Sequence, residues 1–187
     1  MARTDDSPVP DYQSRLRLDG RGFVILGAGQ GIGRQATHAL ANAGATCFCV
    51  DLDEGLAHDV AREVGGIAGI GDATKRPDAS RLFDEADRAL RHAGGVRGVV
   101  DIIGMARYGD LLTLPDEEWD WHHDIVLRHA FLAVQLGGAR IVANGGGSLT
   151  FVASVSGRSG APRHAAYGVA KAGLISLVQS AALELGP

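Results

Sequence analysis

The 187-residue chain has almost no cysteine, no block of charge of one sign and no long apolar run, and each shortage excludes a class of protein. Cys47 and Cys49 are its two cysteines, and their i, i+2 spacing in an apparent strand sets the Cα atoms about 7 Å apart, too far for an easy disulfide. A disulfide-stapled secreted domain is therefore excluded, and two reduced, buried thiols in a cytoplasmic protein are expected. So lone a pair also makes no metal site, and none is expected. Eighteen Lys and Arg against 22 Asp and Glu give a net charge of −4 with neither sign gathered, so no electrostatic footprint for nucleic acid exists. Residues 1–10 are polar and acidic, and nowhere do 18 apolar residues run together, so neither an export signal nor a membrane span is expected.

Glycine, in contrast, is abundant: 27 residues, about 14% and roughly twice average usage, without a collagen period or a Gly/Ser linker. With 45% apolar and 21% charged residues the chain reads as one ordinary globular domain. After a polar arm over residues 1–18, expected to be flexible, strand-length apolar runs alternate with longer stretches of helical period, the pattern of a βαβ protein. Phe23–Leu26 is continuously apolar, as a parallel strand buried on both faces should be. Further strands are expected at Thr46–Val50, Ile67–Ile70, Val99–Ile103 and Leu149–Ala153. Helices are expected at Ile32–Ala43, Leu56–Val64, Pro77–His92, Thr113–Ala143 and Ala165–Leu185, with Gly44, Gly94 and Gly95 as stops. Thr113, three residues before Asp116, reads as a capping box, with Pro115 in the first turn. The last helix is apolar on nearly all sides, so a second subunit is expected to cover it and the helix over 114–143.

Two constellations carry chemistry. The first strand breaks into Gly27, Ala28, Gly29, Gln30, Gly31, Ile32 and Gly33. Glycines so spaced are weak alone in a glycine-rich chain, but here they follow a buried strand and open a helix, where unpaired N–H groups and the helix dipole favour a pyrophosphate. Asp51 ends the next strand about 20 residues on, where a carboxylate accepts ribose hydroxyls and repels a 2′-phosphate, which selects NAD over NADP. The second constellation is Tyr167 and Lys171, one helical turn apart on one face. With three Tyr and two Lys in the chain, the spacing is specific. A phenol of pKa about 10 needs a neighbouring ammonium to act as a base near neutral pH. Ser154, just past the fifth strand, falls at the carboxyl edge of the sheet, where ligands of open α/β sheets bind.

In this order the residues resemble the short-chain dehydrogenase/reductase family over 18–187. The resemblance implies a three-layer, doubly wound parallel sheet, the Rossmann fold, over 19–187, with strand order 3-2-1-4-5. It implies an NAD(P)-dependent oxidoreductase of alcohols and ketones, active as a dimer or tetramer. Tyr167 would be the acid/base, Lys171 would lower its pKa and hold the nicotinamide ribose, and Ser154 would orient the substrate oxygen. Gly27, Gly29, Gly31, Ile32, Gly33, Asp51, Leu52, Asp72, Ala73 and Gly104, together with Tyr167 and Lys171, would contact the cofactor, with Asp72 at the adenine. Tyr108 and Leu111 are expected to line the substrate pocket.

The chain departs from the family in three places. Asp101, Ile102, Ile103 and Gly104 stand where the family has Asn-Asn-Ala-Gly, and Val126 replaces a helix Asn that helps hold a relay water. Nearby His122, His123 and His129 are candidates to stand in for it, though they read first as ordinary helix surface or interface. The family's later strands and substrate lid are missing after Pro187, so a C-terminally truncated chain is expected, with the fifth strand an exposed edge. Val126 and Ile103 keep a second reading open, an NAD-binding regulatory protein of weak or no turnover. A methyltransferase would share the glycine turn and the acid but gives no account of Tyr167 and Lys171.

Overall fold

A computed structural model describes residues 7–186 and contains a five-stranded, fully parallel sheet covered by helices. Strands β1 (Gly22–Leu26), β2 (Thr46–Asp51), β3 (Ile67–Ile70), β4 (Val96–Asp101) and β5 (Ser148–Phe151) lie in the order β3-β2-β1-β4-β5. The chain winds outward from β1 to β3 and returns to β4 on the other side of β1, which creates a switch point above the carboxyl ends of β1 and β4. The connecting helices are α1 (Gly31–Asn42), α2 (Glu54–Val64), α3 (Arg76–Ala89), α4 (Asp116–Ala143) and, after β5, α5 (Ala165–Leu185).

Alternation along β1 and β2 divides the core between the two faces. Val24, Leu26, Phe48 and Val50 meet Leu82, Phe83 and Ala86 of α3 and Ala133 and Ile141 of α4. Phe23, Ile25, Cys47 and Cys49 point the other way, onto Val60 and Ala61 of α2 and Leu40 of α1. Both sets are apolar because both faces are covered, and each buried large side chain contributes about 1.5–3 kcal/mol. Near the amino end, the Leu18 N–H donates to the Ala43 carbonyl (2.8 Å) and its side chain joins the second cluster, which ties the end of the 1–18 arm to α1. Residues 1–6 of that arm lie outside the described residues.

The sequence misplaces several boundaries. No capping box forms at Thr113: Leu111–Thr113 is a short 3-10 turn, and α4 starts at Asp116 with Pro115 preceding it. Asp116, Glu117 and Glu118 in the first turn complement the helix dipole in place of a cap. Strand β4 begins and ends earlier than expected, since the chain leaves the sheet once Asp101 has paired with Leu26. β5 likewise ends at Phe151, and α3 at Ala89, with Arg91–Ala93 a separate turn. Helix α2 starts at Glu54, because the Asp53 side chain accepts from the Leu56 N–H (3.0 Å).

α4 runs without a break through two wider π segments, Asp124–Arg128 and Ala133–Gly137. By length and composition α4 and α5 could each cross a membrane, but α4 packs on the sheet and α5 on α4. Phe131 and Val142 of α4 and Val169, Leu183 and Leu185 of α5 stay exposed.

Candidate functional site

At the end of β1, the N–H groups of Gly27 and Ala28 both donate to the Val50 carbonyl (2.9 Å each), so the glycine turn hangs from the last residues of β2. Gly33 lies so close beneath it that a methyl group there would overlap the Gly27 carbonyl oxygen. Gly33 therefore serves helix-to-strand packing. Gly31 is different: its φ is +54° and nothing lies within 4 Å of where a Cβ would stand. No side chain caps the α1 terminus at Gln30. A bare, positively polarised helix end over an open backbone is a cradle for a phosphate.

Asp51 joins this turn. Its Oδ2 accepts from the Gly29 N–H (2.9 Å) and its Oδ1 from the Asp53 N–H (3.1 Å). A carboxylate offers about four lone-pair sites, so two remain for hydroxyl donors. Ile32 and Leu52 expose their side chains beside the turn. Asp72 turns inward instead: its Oδ1 accepts from the backbone N–H (2.9 Å) and hydroxyl (2.6 Å) of Thr74, and its own N–H donates to Asp78 (3.0 Å). The Ala73 methyl belongs to the core.

Ser154 opens the turn after β5, and this turn lies on α5, which carries Tyr167 and Lys171. A methyl at Gly157 would come within 2.8 Å of the Lys171 carbonyl carbon, and one at Gly168 within 2.9 Å of the Ser156 carbonyl oxygen. Glycine at both positions lets the turn and helix touch. The Ser154 Oγ accepts from the Ser156 N–H (3.2 Å), which fixes its side chain at the start of that turn. Lys171 is 3% exposed; its Nζ donates to the Val152 carbonyl (2.7 Å) and lies 5.9 Å from the centre of the Tyr167 ring. Gly104 leaves room for it, since a Cβ there would stand 3.2 Å from the Nζ. Burial pushes the Lys171 ammonium below its usual range, and the attraction of Asp101 partly offsets this.

The α4 histidines correct the sequence reading. His122 and His129 are not surface residues but fully buried; only His123 is partly exposed. Their seven-residue spacing puts His122 and His129 on the inward stripe of α4, with Val126 between them. His122 Nδ1 donates to the Glu118 carbonyl (2.7 Å), which makes Nε2 the acceptor for the Arg107 N–H (3.0 Å) and ties the loop after β4 to α4. The His122 ring stands edge-on to Tyr167 at 6.4 Å. His129 Nδ1 donates to Asp101 Oδ2 (2.7 Å), and the other Asp101 oxygen accepts from the Ile103 N–H (3.1 Å). The residue that departs from the family on β4 thus meets a residue on α4. Farther out, Tyr108 packs at a tilt against His164 (ring centres 4.5 Å apart) and lines a recess with Arg107, Asp110, Glu118 and Arg163; Leu111 is exposed and does not line it.

Comparison with known proteins decides the family. A family model described as enoyl-(acyl carrier protein) reductase matches residues 27–187. The chain belongs to the short-chain dehydrogenase/reductase family. It is similar to the mouse (Mus musculus) (3R)-3-hydroxyacyl-CoA dehydrogenase, with 34% identity covering 92% of this chain and 71% of that protein. It is also similar to the D-threitol dehydrogenase of Mycolicibacterium smegmatis, with 32% identity covering 91% of this chain and 66% of that protein. Among solved structures, a 7α-hydroxysteroid dehydrogenase complexed with NADH and 7-oxo glycochenodeoxycholic acid has a TM-score of 0.83 at 28% identity, covering 92% of this chain and 68% of that one. The chain is a Rossmann-fold, nicotinamide-cofactor oxidoreductase acting on an alcohol or ketone.

Proposed function

We propose that the chain interconverts a secondary alcohol and its ketone using NAD(H), with Tyr167 as acid/base, Lys171 as its electrostatic partner and Ser154 orienting the substrate oxygen. The observation that carries this reading is the buried Lys171 ammonium beneath the Tyr167 ring. A cation there stabilises a phenolate that can take the alcohol proton, or return it in the reverse direction. The α1 terminus, Gly31 and Asp51 fit a dinucleotide: backbone N–H groups for the pyrophosphate, a carboxylate for the ribose hydroxyls, and a charge that disfavours a 2′-phosphate. When bound, the nicotinamide supplies the hydride acceptor or donor.

The chain, NAD and a panel of secondary alcohols that includes a 3-hydroxyacyl thioester and threitol should form NADH, followed by its absorbance. Tyr167→Phe should lower turnover at least a hundredfold; turnover retained in that variant overturns the assignment of Tyr167. A second reading, a nicotinamide-binding regulatory protein, draws on Ile103, which packs against the glycine turn at Gly27. Tight NAD binding by calorimetry with no product from any panel member would favour it.

The apolar faces of α4 and α5 support a homo-oligomer, a dimer or tetramer, closed by a second copy of the chain, to be read by light scattering. Two buried free thiols accord with a cytoplasmic setting.

A further inference from the structure

We infer that Asp101, locked by His129, is a positioning residue that keeps Lys171 charged inside the protein and so sets the alkaline limit of the reaction. The inference rests on the proposed roles of Tyr167 and Lys171. Among the described residues, Asp101 and Lys171 are the two buried side chains drawn from Asp, Glu, Lys and Arg. A single residue links their positions: the Val152 N–H donates to the main-chain carbonyl of Asp101 (3.2 Å) and the Val152 carbonyl accepts from Lys171 Nζ (2.7 Å). A buried ammonium requires a counter-charge or it sheds its proton. The other charged groups around the site are engaged elsewhere: Arg107 with Glu118 and the Trp121 face, and Lys75 with Asp124 at the surface. His122 has both ring nitrogens occupied by backbone groups, and Tyr167 lies over Lys171 itself.

Asp101 is held with each oxygen on its own donor, His129 Nδ1 and the Ile103 N–H. An asparagine would satisfy the Ile103 bond equally well but would turn its amide NH2 towards His129, so what Asp101 adds is a second acceptor and a charge. His129 completes the arrangement at some expense, because its Nε2 is buried with no partner among the described residues. A buried polar atom left unmatched calls for a reason, and fixing the carboxylate supplies one.

The chain's two lysines make the test direct. With lysine labelled at the ε-carbon, NMR should show two signals, assigned by Lys75→Arg, and each can be titrated without cofactor or substrate. Asp101→Asn keeps the shape and removes the charge; it should lower the Lys171 midpoint by about one pH unit and shift the alkaline limb of kcat/KM by the same amount. His129→Gln, which can still donate to the carboxylate, should leave the midpoint in place. An unchanged midpoint in Asp101→Asn overturns the inference. So does a Lys171 signal already deprotonated at neutral pH in the unmodified chain, a measurement that needs no variant to fold. Failure of the Tyr167 assignment would appear separately, as turnover surviving Tyr167→Phe while the Lys171 midpoint still responded to Asp101.

Discussion

The two sides of the switch point are positioned by opposite means. Around β1 and β2 the chain uses bare backbone: Gly27 and Ala28 hang from Val50, Gly33 touches the Gly27 carbonyl, and Gly31 stands open at the α1 terminus. Around β4, α4 and α5 it uses buried side chains, with Asp101 on His129, His122 on the loop at Arg107 and Lys171 on Val152. A site made of backbone tolerates no added atom where the chain touches itself, as at Gly33, and carries little charge. A site made of side chains can be reshaped, and responds instead to changes of charge and proton.

The largest effect that follows is at Gly33. Gly33→Ala puts a methyl group onto a carbonyl oxygen of the backbone, which has no rotamer by which to yield. It should destabilise the fold by about 3 kcal/mol or more and abolish NAD binding, measured by thermal unfolding and calorimetry. Gly31→Ala meets open space and should cost only about 1 kcal/mol, for its left-handed backbone. Equal losses at the two positions would break the distinction between a packing glycine and an open one.

On the other side, His129→Ala leaves the Asp101 Oδ2 without its donor and a void beneath α4. A loss of about 2–4 kcal/mol is expected in urea unfolding, with His129→Gln recovering a good part of it. If Ala and Gln destabilise alike, the bond to Asp101 is not what His129 provides.

The sequence exposes these two sides unequally, for a physical reason. The backbone side follows local rules, so the glycine run, the continuous strand at Phe23–Leu26 and Asp51 at a strand end are readable one after another along the chain. The Tyr167 and Lys171 pair is readable as well, since one helical turn joins them. The Asp101 and His129 pair is not: 28 residues separate its members, and only the packing of α4 on the sheet brings them together. The stripe His122, Val126, His129, Ala130 and Ala133 did carry a signal, because helical spacing puts the two histidines on the face that carries Val126, Ala130 and Ala133. Read as individual polar residues, they look like surface. The missed start of α4 has the same origin: Thr113 has the composition of a cap, but the turn at Leu111–Thr113 uses it first.

Specificity for the nucleotide should change less. Asp51→Ser removes the charge that disfavours a 2′-phosphate while keeping an acceptor near the Gly29 N–H. The preference for NAD over NADP should fall about tenfold, about 1.4 kcal/mol, in paired calorimetric titrations. An unchanged ratio would mean that Asp51 serves the glycine turn alone.

A last effect, in which opposing contributions partly cancel, sets the two sides against each other through alkaline stability. Burial pushes the Cys47 thiol on β2 from its ordinary value of 9.0 up to about 11, and Cys49 up to about 12. An acid whose folded value is raised keeps its proton while the unfolded chain loses it, so stability falls as pH rises above 9, by about 1 kcal/mol for each thiol near pH 10. Lys171 acts in the opposite sense: its folded value is lowered, the unfolded chain binds the proton more tightly, and stability rises with pH in the window just below 10.5. Urea midpoints between pH 8 and 10 should therefore decline in the unmodified chain, and the decline should vanish or reverse in Cys47→Ala/Cys49→Ala. A decline that persists without the thiols would place the alkaline sensitivity outside both groups, because the lowered Lys171 value gives a rise with pH and not a fall.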